Sequence, residues 1–289
     1  MARGLDHIVH AVRDLDAAVE LYRGLGFTVG ARNIHPRTWG TENHIVQLPG
    51  TFIELLAVAD ESGIVPHTAR HFSFGAHNRD WLMRDQGLSM LVLEGRGAPD
   101  SRSFAADGIG DFDLYEFERE AKRPDGSPVK VAFALAFASD PGAPDIGFFT
   151  SFQHHPENFW NPAFQHHLNT AKAVAGVVLI AEEPALHARF LYSFAGVEGE
   201  TTASGVMIKT SRGDIEVVTP DGFKKRFGVP GPDVSKGARL AAIRFALEDA
   251  SLFEGAPNVA GISGVYAGNA TIIGRQDAMG AVLVFEPSR

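Results

Sequence analysis

The sequence contains no cysteine among its 289 residues. Disulfides, thiolate metal sites and cysteine nucleophiles are therefore excluded. Basic runs are missing as well: 26 Lys and Arg stand against 35 Asp and Glu, a formal net charge of −9. Nucleic acids and anionic membranes select cationic surfaces, so neither is expected as a partner. Tyrosine is scarce (4) and phenylalanine abundant (21), which points to an apolar interior. No stretch approaches the roughly 20 apolar residues of a membrane span. Met1 to Asp6 runs into a strand-like segment with no apolar leader, and the expectation is a soluble, cytoplasmic protein. There is also no Gly-x-Gly-x-x-Gly after a strand, no Walker loop and no Gly-x-Ser-x-Gly.

What is present is an ordinary globular composition, 45% apolar and 21% charged, in a chain long enough for about two domains. Residues 5–12, Leu-Asp-His-Ile-Val-His-Ala-Val, are short and β-branched and predict a strand. Asp14 is placed to cap a helix whose apolar face is Leu15, Ala18, Val19 and Tyr22, closed by Gly24 and Gly26. Strand-like runs follow at 27–31, 44–48 and 51–58. Strand, helix and three strands make a βαβββ module.

The module recurs. A third copy runs from a strand at 174–181 through a helix at 184–194 to a strand at 214–218, and a fourth from 240–245 to 281–285. The second copy is less regular, with strands at 88–93, 112–118, 129–137 and 146–155 and a short helix near 101–106. Residues 60–87 read as a helical linker and 156–172 as a bridge. The expected fold class is α+β: four βαβββ modules paired into two barrel-like domains, over residues 1–165 and 171–289.

Side chains at i and i+2 of a strand share a face. His7 therefore lies with Leu5, Val9 and Ala11, Asp6 with Ile8 and His10 on the other side, and Glu54 with Phe52 and Leu56. If the first and last strands are neighbours, His7 and Glu54 project into one concavity. An imidazole and a carboxylate suit Zn²⁺, Mn²⁺, Fe²⁺ or Ni²⁺, although each is equally at home as a solvated strand residue. In the last strand of the second module, Ile146, Phe148, Thr150, Phe152 and His154 form the more apolar set and suit packing under a helix. That leaves Gln153 and His155 toward the cleft, and a bulge would present His154 instead. His155 is the expected third ligand. Asn43, Gln153, His154 and Trp160 are the candidates for substrate contact, with Asn43 also readable as a turn residue and Trp160 as a linker anchor. His35, His44 and His77 have no partner at ligand spacing, and His67 and His71 read as surface.

Leu5-Asp6-His7-Ile8, the Asp14-Leu15-Asp16 helix start, Tyr22, Leu25-Gly26-Phe27 and Phe52-Ile53-Glu54-Leu55-Leu56 resemble the glyoxalase/bleomycin resistance/dioxygenase (vicinal oxygen chelate) superfamily. A narrower resemblance, to its glyoxalase-like domain subgroup, runs through His35-Pro36, Trp39-Gly40-Thr41, Asn43 and residues 153–162. The resemblance implies that two modules pair into one cleft and that His7 and Glu54 are metal ligands. It implies a metal-dependent lyase, isomerase or dioxygenase acting on a small oxygen-bearing organic molecule, with a divalent ion (Zn, Mn, Fe or Ni) as cofactor. Glutathione is not indicated.

Departures from the pattern are concentrated downstream. The position matching His7 becomes Met90, Val177 and Ala242 in the later modules, while Glu54 is matched by Glu216 and then Val284. The C-terminal pair is accordingly expected to be structural, a homodimer surface or a lid. Ring cleavage is disfavoured, because such enzymes carry their ligands in that half. The same losses support an alternative: a metal-free protein of the bleomycin-resistance type that sequesters an apolar or aromatic small molecule.

Overall fold

The computed structural model describes residues 2–122, 126–253 and 261–288. The first half forms an eight-stranded sheet from β1 (Leu5–Ala11), β2 (Asn33–Ile34), β3 (Thr41–Leu48), β4 (Thr51–Val58), β5 (Gly87–Glu94), β6 (Tyr115–Lys122), β7 (Pro128–Ala138) and β8 (Gly147–Gln153). Their spatial order is β2-β3-β4-β1-β5-β8-β7-β6. The second half repeats it with β9 (Ala171–Ile180), β10 (Glu200–Thr202), β11 (Gly205–Ile208), β12 (Asp214–Val218), β13 (Arg239–Leu247), β14 (Gly264–Ala267), β15 (Ala270–Ile273) and β16 (Val282–Pro287). Here the order is β10-β11-β12-β9-β13-β16-β15-β14. In each sheet the first and last strands of a module run parallel, and the two modules join antiparallel through β1–β5 or β9–β13. The fold is α+β, four paired modules of the βαβββ kind forming two eight-stranded sheets; among the described residues the fourth has a 3-10 turn (Ala250–Phe253) where the others have a helix.

Local chemistry explains the elements. In α1 (Leu15–Gly24), Asp14 accepts from the Ala17 amide, satisfying a donor that the first turn leaves free. The helix buries Leu15, Ala18, Val19 and Tyr22. Gly26 follows at φ +84°, where a side chain would be strained, and Phe27 then enters the core. Residues 27–31 are not a strand, and the third element of the module is reduced to the two residues of β2. The expected linker is more structural than its reading: it contributes α2 (Phe74–Arg84), whose Phe74 and Trp81 are buried against the concave face of the first sheet.

The convex faces of both sheets share one core with α1, α3 (Ala98–Asp107) and α4 (Ala188–Ala195). Rings from the two halves interleave there: Phe27 lies 4.9 Å from Phe245, and Phe148 lies 4.7 Å from Phe190. Polar contacts cross as well. Arg3 donates to the Phe194 carbonyl and to Asp100, and Asp85 accepts from Arg239 and Arg275.

The concave faces differ, and that difference positions the site. In the second sheet α5 (Pro220–Phe227), a helix the sequence reading passed over, lays Phe223 and Phe227 on Val178, Ala242, Val282 and Val284 and fills the space. In the first sheet α2 covers only part of the concave face and leaves a cavity beside it.

Candidate functional site

His7 leaves β1 on the concave face. Its register partner on β4 is Phe52, and the two rings stack with centroids 4.3 Å apart and planes at 13°. Two residues further along, Val9 is paired with Glu54, so His7 and Glu54 project to the same side. His7 Nε2 lies 3.7 Å from Glu54 Oε2.

Asp6 does not face away from His7, as strict alternation required. The β1–β5 register shifts between Leu5 and His7, advancing two residues on β1 for one on β5, which makes Asp6 the extra residue of a bulge. Asp6 Oδ1 consequently sits 2.5 Å from His7 Nδ1, with both side chains buried. A carboxylate at Nδ1 holds the proton there and leaves the Nε2 lone pair aimed into the cavity. Gln153 Nε2 donates to Asp6 Oδ2 at 3.3 Å, while its own Oε1 is buried with no hydrogen-bond partner among the described residues.

Glu54 is surrounded. Asn43, on β3, donates Nδ2 to Glu54 Oε1 at 2.5 Å, and its Oδ1 accepts from Asn33 Nδ2 at 3.0 Å. His35, which had no partner by spacing, accepts at Nε2 from Asn43 Nδ2 at 3.0 Å, with Glu54 Oε1 3.6 Å away, and bonds through Nδ1 to Thr41 Oγ1 at 2.8 Å. Burial holds the His35 pKa below that of a free imidazole, and the Arg119 charge adds to this while Glu54 opposes it. The ring is neutral at neutral pH.

Gln153, expected toward the cleft, lines a separate depression with Asp6 and Trp160, whereas His7, Glu54, Asn43 and His35 line a cavity of about 70 Å³, with walls that include Trp39, Phe52, Phe74, Phe117, Phe133, Phe149 and Phe159. That is room for several water-sized groups. The aromatic walls keep the polar groups in a poorly solvated setting, where charges act strongly.

The remaining candidates lie elsewhere. Trp160 contacts Phe52 edge-on at 6.0 Å but lines the outer surface of the site, and it is its neighbour Phe159 that enters the inner wall. His155 does not reach the cavity. Strand β8 ends at Gln153, so the alternation that carried the expectation stops there, and His155 instead precedes a 3-10 turn over Pro156–Asn158. Its side chain is 40% exposed, 3.6 Å from Glu157. His154 sits beside it in a surface depression with Glu116, Glu118 and Lys130. Inside the cavity β8 contributes Phe149 and Ser151. By register, Met90 and Phe149 occupy in the second module the places of His7 and Glu54.

In the C-terminal half the register corrects one correspondence. Val178 is paired with Glu216 as Val9 is with Glu54, so the place of His7 belongs to Gly176 rather than Val177. Val177 faces the shared core. Glu216 is buried between Arg226 and Arg244, and Arg244 also holds Glu286 at 2.5 Å. This carboxylate is neutralised by guanidinium groups and is not open to an ion.

Among the described residues, no group of three or more His, Cys, Asp or Glu side chains is disposed to hold a metal ion. The donor set that faces the cavity is therefore His7 and Glu54, with any further positions left to oxygen atoms from outside the protein. An Nε2 lone pair opposite a carboxylate 3.7 Å away is repulsive unless a proton or a cation lies between them. A divalent ion fits that requirement.

A family model described as a glyoxalase-like domain matches residues 5–194, the whole first sheet and the start of the second. The chain belongs to the glyoxalase-like family. It is a member of the vicinal oxygen chelate superfamily. No curated protein matches this glyoxalase-like chain in sequence. Among solved structures, a hypothetical protein from Staphylococcus aureus superposes over 99% of both chains with a TM-score of 0.68 and 12% identity. A triple mutant of 4-hydroxymandelate synthase from Streptomyces coelicolor covers 100% of this chain and 94% of its own, with a TM-score of 0.61 and 11% identity. At such identities the likeness is one of fold. No helix among the described residues is long and apolar enough to cross a membrane.

Proposed function

We propose that this glyoxalase-like protein is a metal-dependent enzyme, a lyase, isomerase or dioxygenase, acting on a small oxygen-bearing organic molecule. The observation that carries the reading is His7 Nε2 facing Glu54 Oε2 inside an aromatic cavity, with Asp6 fixing the imidazole tautomer. His7 and Glu54 would hold the ion (Zn, Mn, Fe or Ni), and the chemistry it supplies when bound is polarisation of a substrate oxygen. Asn43 orients the Glu54 carboxylate by donating to Oε1. His35 accepts from the same Asn43 Nδ2 and lies beside Glu54, so with Thr41 at its other nitrogen it holds Asn43, and through it the carboxylate, in place. The phenylalanine walls exclude water from the reacting groups.

A second reading has its own support. With two facing donors and mostly aromatic walls, the cavity also suits metal-free sequestration of an apolar small molecule. Elemental analysis separates the two, using untagged protein purified without chelator, wild type beside His7→Ala and Glu54→Ala. Near-stoichiometric metal in the wild type that is lost in both variants supports the enzyme. A wild type that neither contains nor takes up Zn²⁺, Mn²⁺, Fe²⁺ or Ni²⁺ overturns it and leaves sequestration.

A further inference from the structure

Arg119 is on β6, one edge of the first sheet, and Asn33 is on β2, the other edge. Arg119 Nη2 donates to Asn33 Oδ1 at 3.4 Å, so the curled sheet brings its two edges together at this point. Phe117, two residues earlier on the same face, stacks on Trp39 at 5.3 Å and forms the adjoining wall. Glu116, Glu118 and Glu120 alternate outward and are exposed. The strand thus turns its acids to solvent and its one guanidinium inward.

The position is a neck. Arg119, Ile45 and Phe159 line both the inner cavity and a larger outer groove of about 570 Å³ that runs past Gln47, Asn158 and Trp160. Glu54 lines the cavity and Glu157 the groove, yet among the described residues no carboxylate comes within 4.0 Å of the Arg119 guanidinium. Burial lowers its pKa from the usual arginine value. A guanidinium in that setting costs free energy unless something charged or strongly accepting completes it.

We propose that Arg119 is the binding residue for the carboxylate of an organic monoanion whose apolar body lies against the phenylalanine walls. One guanidinium, with no lysine lining either cavity, balances a single charge better than the double charge of a phosphate ester. The proposal rests on reading His7 and Glu54 as the reactive centre, and it names the substrate class as carboxylic acids. The geometry also ties the two ends of the ligand together. Arg119 donates to Asn33, Asn33 donates to Asn43, and Asn43 donates to Glu54, a continuous hydrogen-bonded chain from the neck to the reactive carboxylate.

The test is calorimetric binding of benzoate and phenylacetate beside their neutral amides, benzamide and phenylacetamide, to wild type, Arg119→Gln and Arg119→Lys. Wild type should prefer each acid over its amide by about tenfold or more, the worth of a hydrogen bond to a charged group. Arg119→Gln should abolish that preference, so that acid and amide bind alike, and Arg119→Lys should restore part of it; thermal melting confirms that each variant is folded. Equal binding of acid and amide, no binding of either acid, or an acid preference that survives Arg119→Gln overturns the proposal. Metal content is measured on the same samples. Arg119→Gln retains whatever metal the wild type holds, so failure of the metal reading and failure of the anion reading give different results.

Discussion

Asp6 and His7 are consecutive residues of one strand, and they are hydrogen-bonded side chain to side chain at 2.5 Å. A regular strand forbids this, because neighbours point to opposite faces. The bulge opposite β5 re-aims Asp6 and so turns an ordinary strand histidine into an oriented one. Asp6→Asn keeps the size of the side chain and removes its charge. Under the proposed function it should weaken metal retention about 10- to 100-fold, the usual consequence of removing the partner of a ligand histidine. Competition with a metal-sensing chelator reads this directly, and unchanged affinity would show that His7 does not rely on Asp6.

Glu216 occupies in the C-terminal half the place of Glu54, but there it is a counter-ion. Glu216→Gln leaves Arg244, which is nearly buried, with Glu286 as its remaining anionic partner. The expected loss is about 1 to 2 kcal/mol of stability, less than the cost of a fully stranded charge, with metal content unchanged. Urea unfolding midpoints check the first part and elemental analysis the second.

His10 and His77 are buried, and burial lowers the pKa of each to about 4. His10 donates Nε2–H to the Met279 carbonyl and His77 donates to the Ser89 carbonyl, bonds that the neutral rings satisfy. Unfolded, both bind a proton near pH 6.5. Between pH 6.5 and 4 the unfolded chain therefore holds more protons, and stability falls as pH falls. Each histidine accounts for about 3 kcal/mol across that window. Denaturation midpoints from pH 7.5 to 4.5 should show the decline, and His77→Gln should flatten it.

Gly75 begins α2 against the loop that carries Trp39. A Cβ at this position would meet the Trp39 carbonyl oxygen at 2.1 Å, a backbone atom that cannot swing aside. Gly75→Ala should cost about 1 to 3 kcal/mol and displace the Trp39–Phe74 wall. Thermal melting measures the cost. Weaker binding of the acid and amide probes alike would locate the damage in the cavity wall, in contrast to Arg119→Gln.

Much of this was legible in the residues and some was not, for reasons that can be named. Strand β4 and helix α1 are written locally, in unbroken β-branched and apolar residues and in the Asp14 cap, and the sequence reading places both within a residue or two. The signals for α5 were equally local: Thr219 as cap, Pro220 in the first turn and Gly228 at φ +72° after the last. The repeat pattern, which has no helix there, drew attention away from them. The bulge at Asp6 depends on the register of β5, some 80 residues away, and no local pattern encodes it. His35 reaches Glu54 only because the loop after β2 folds over β3. His155 was misplaced because alternation was extended two residues past the end of its strand. Arg119 shares a face with Phe117 by simple alternation, and its strand pattern of inward ring, outward acid and inward guanidinium could have been read.

The rings that interleave between the halves carry a consequence for how the chain comes apart. Phe27 against Phe245 and Phe148 against Phe190 make the convex surface of each sheet the interior of the other. Heat or denaturant then has no half to melt first, and the two sheets should be lost in one cooperative transition. A chain cut near residue 170 would present those rings to water and aggregate rather than persist as a smaller active protein. The C-terminal modules are thus free to leave no open donor on their concave face, yet they cannot be discarded, because they supply half of a single folding unit.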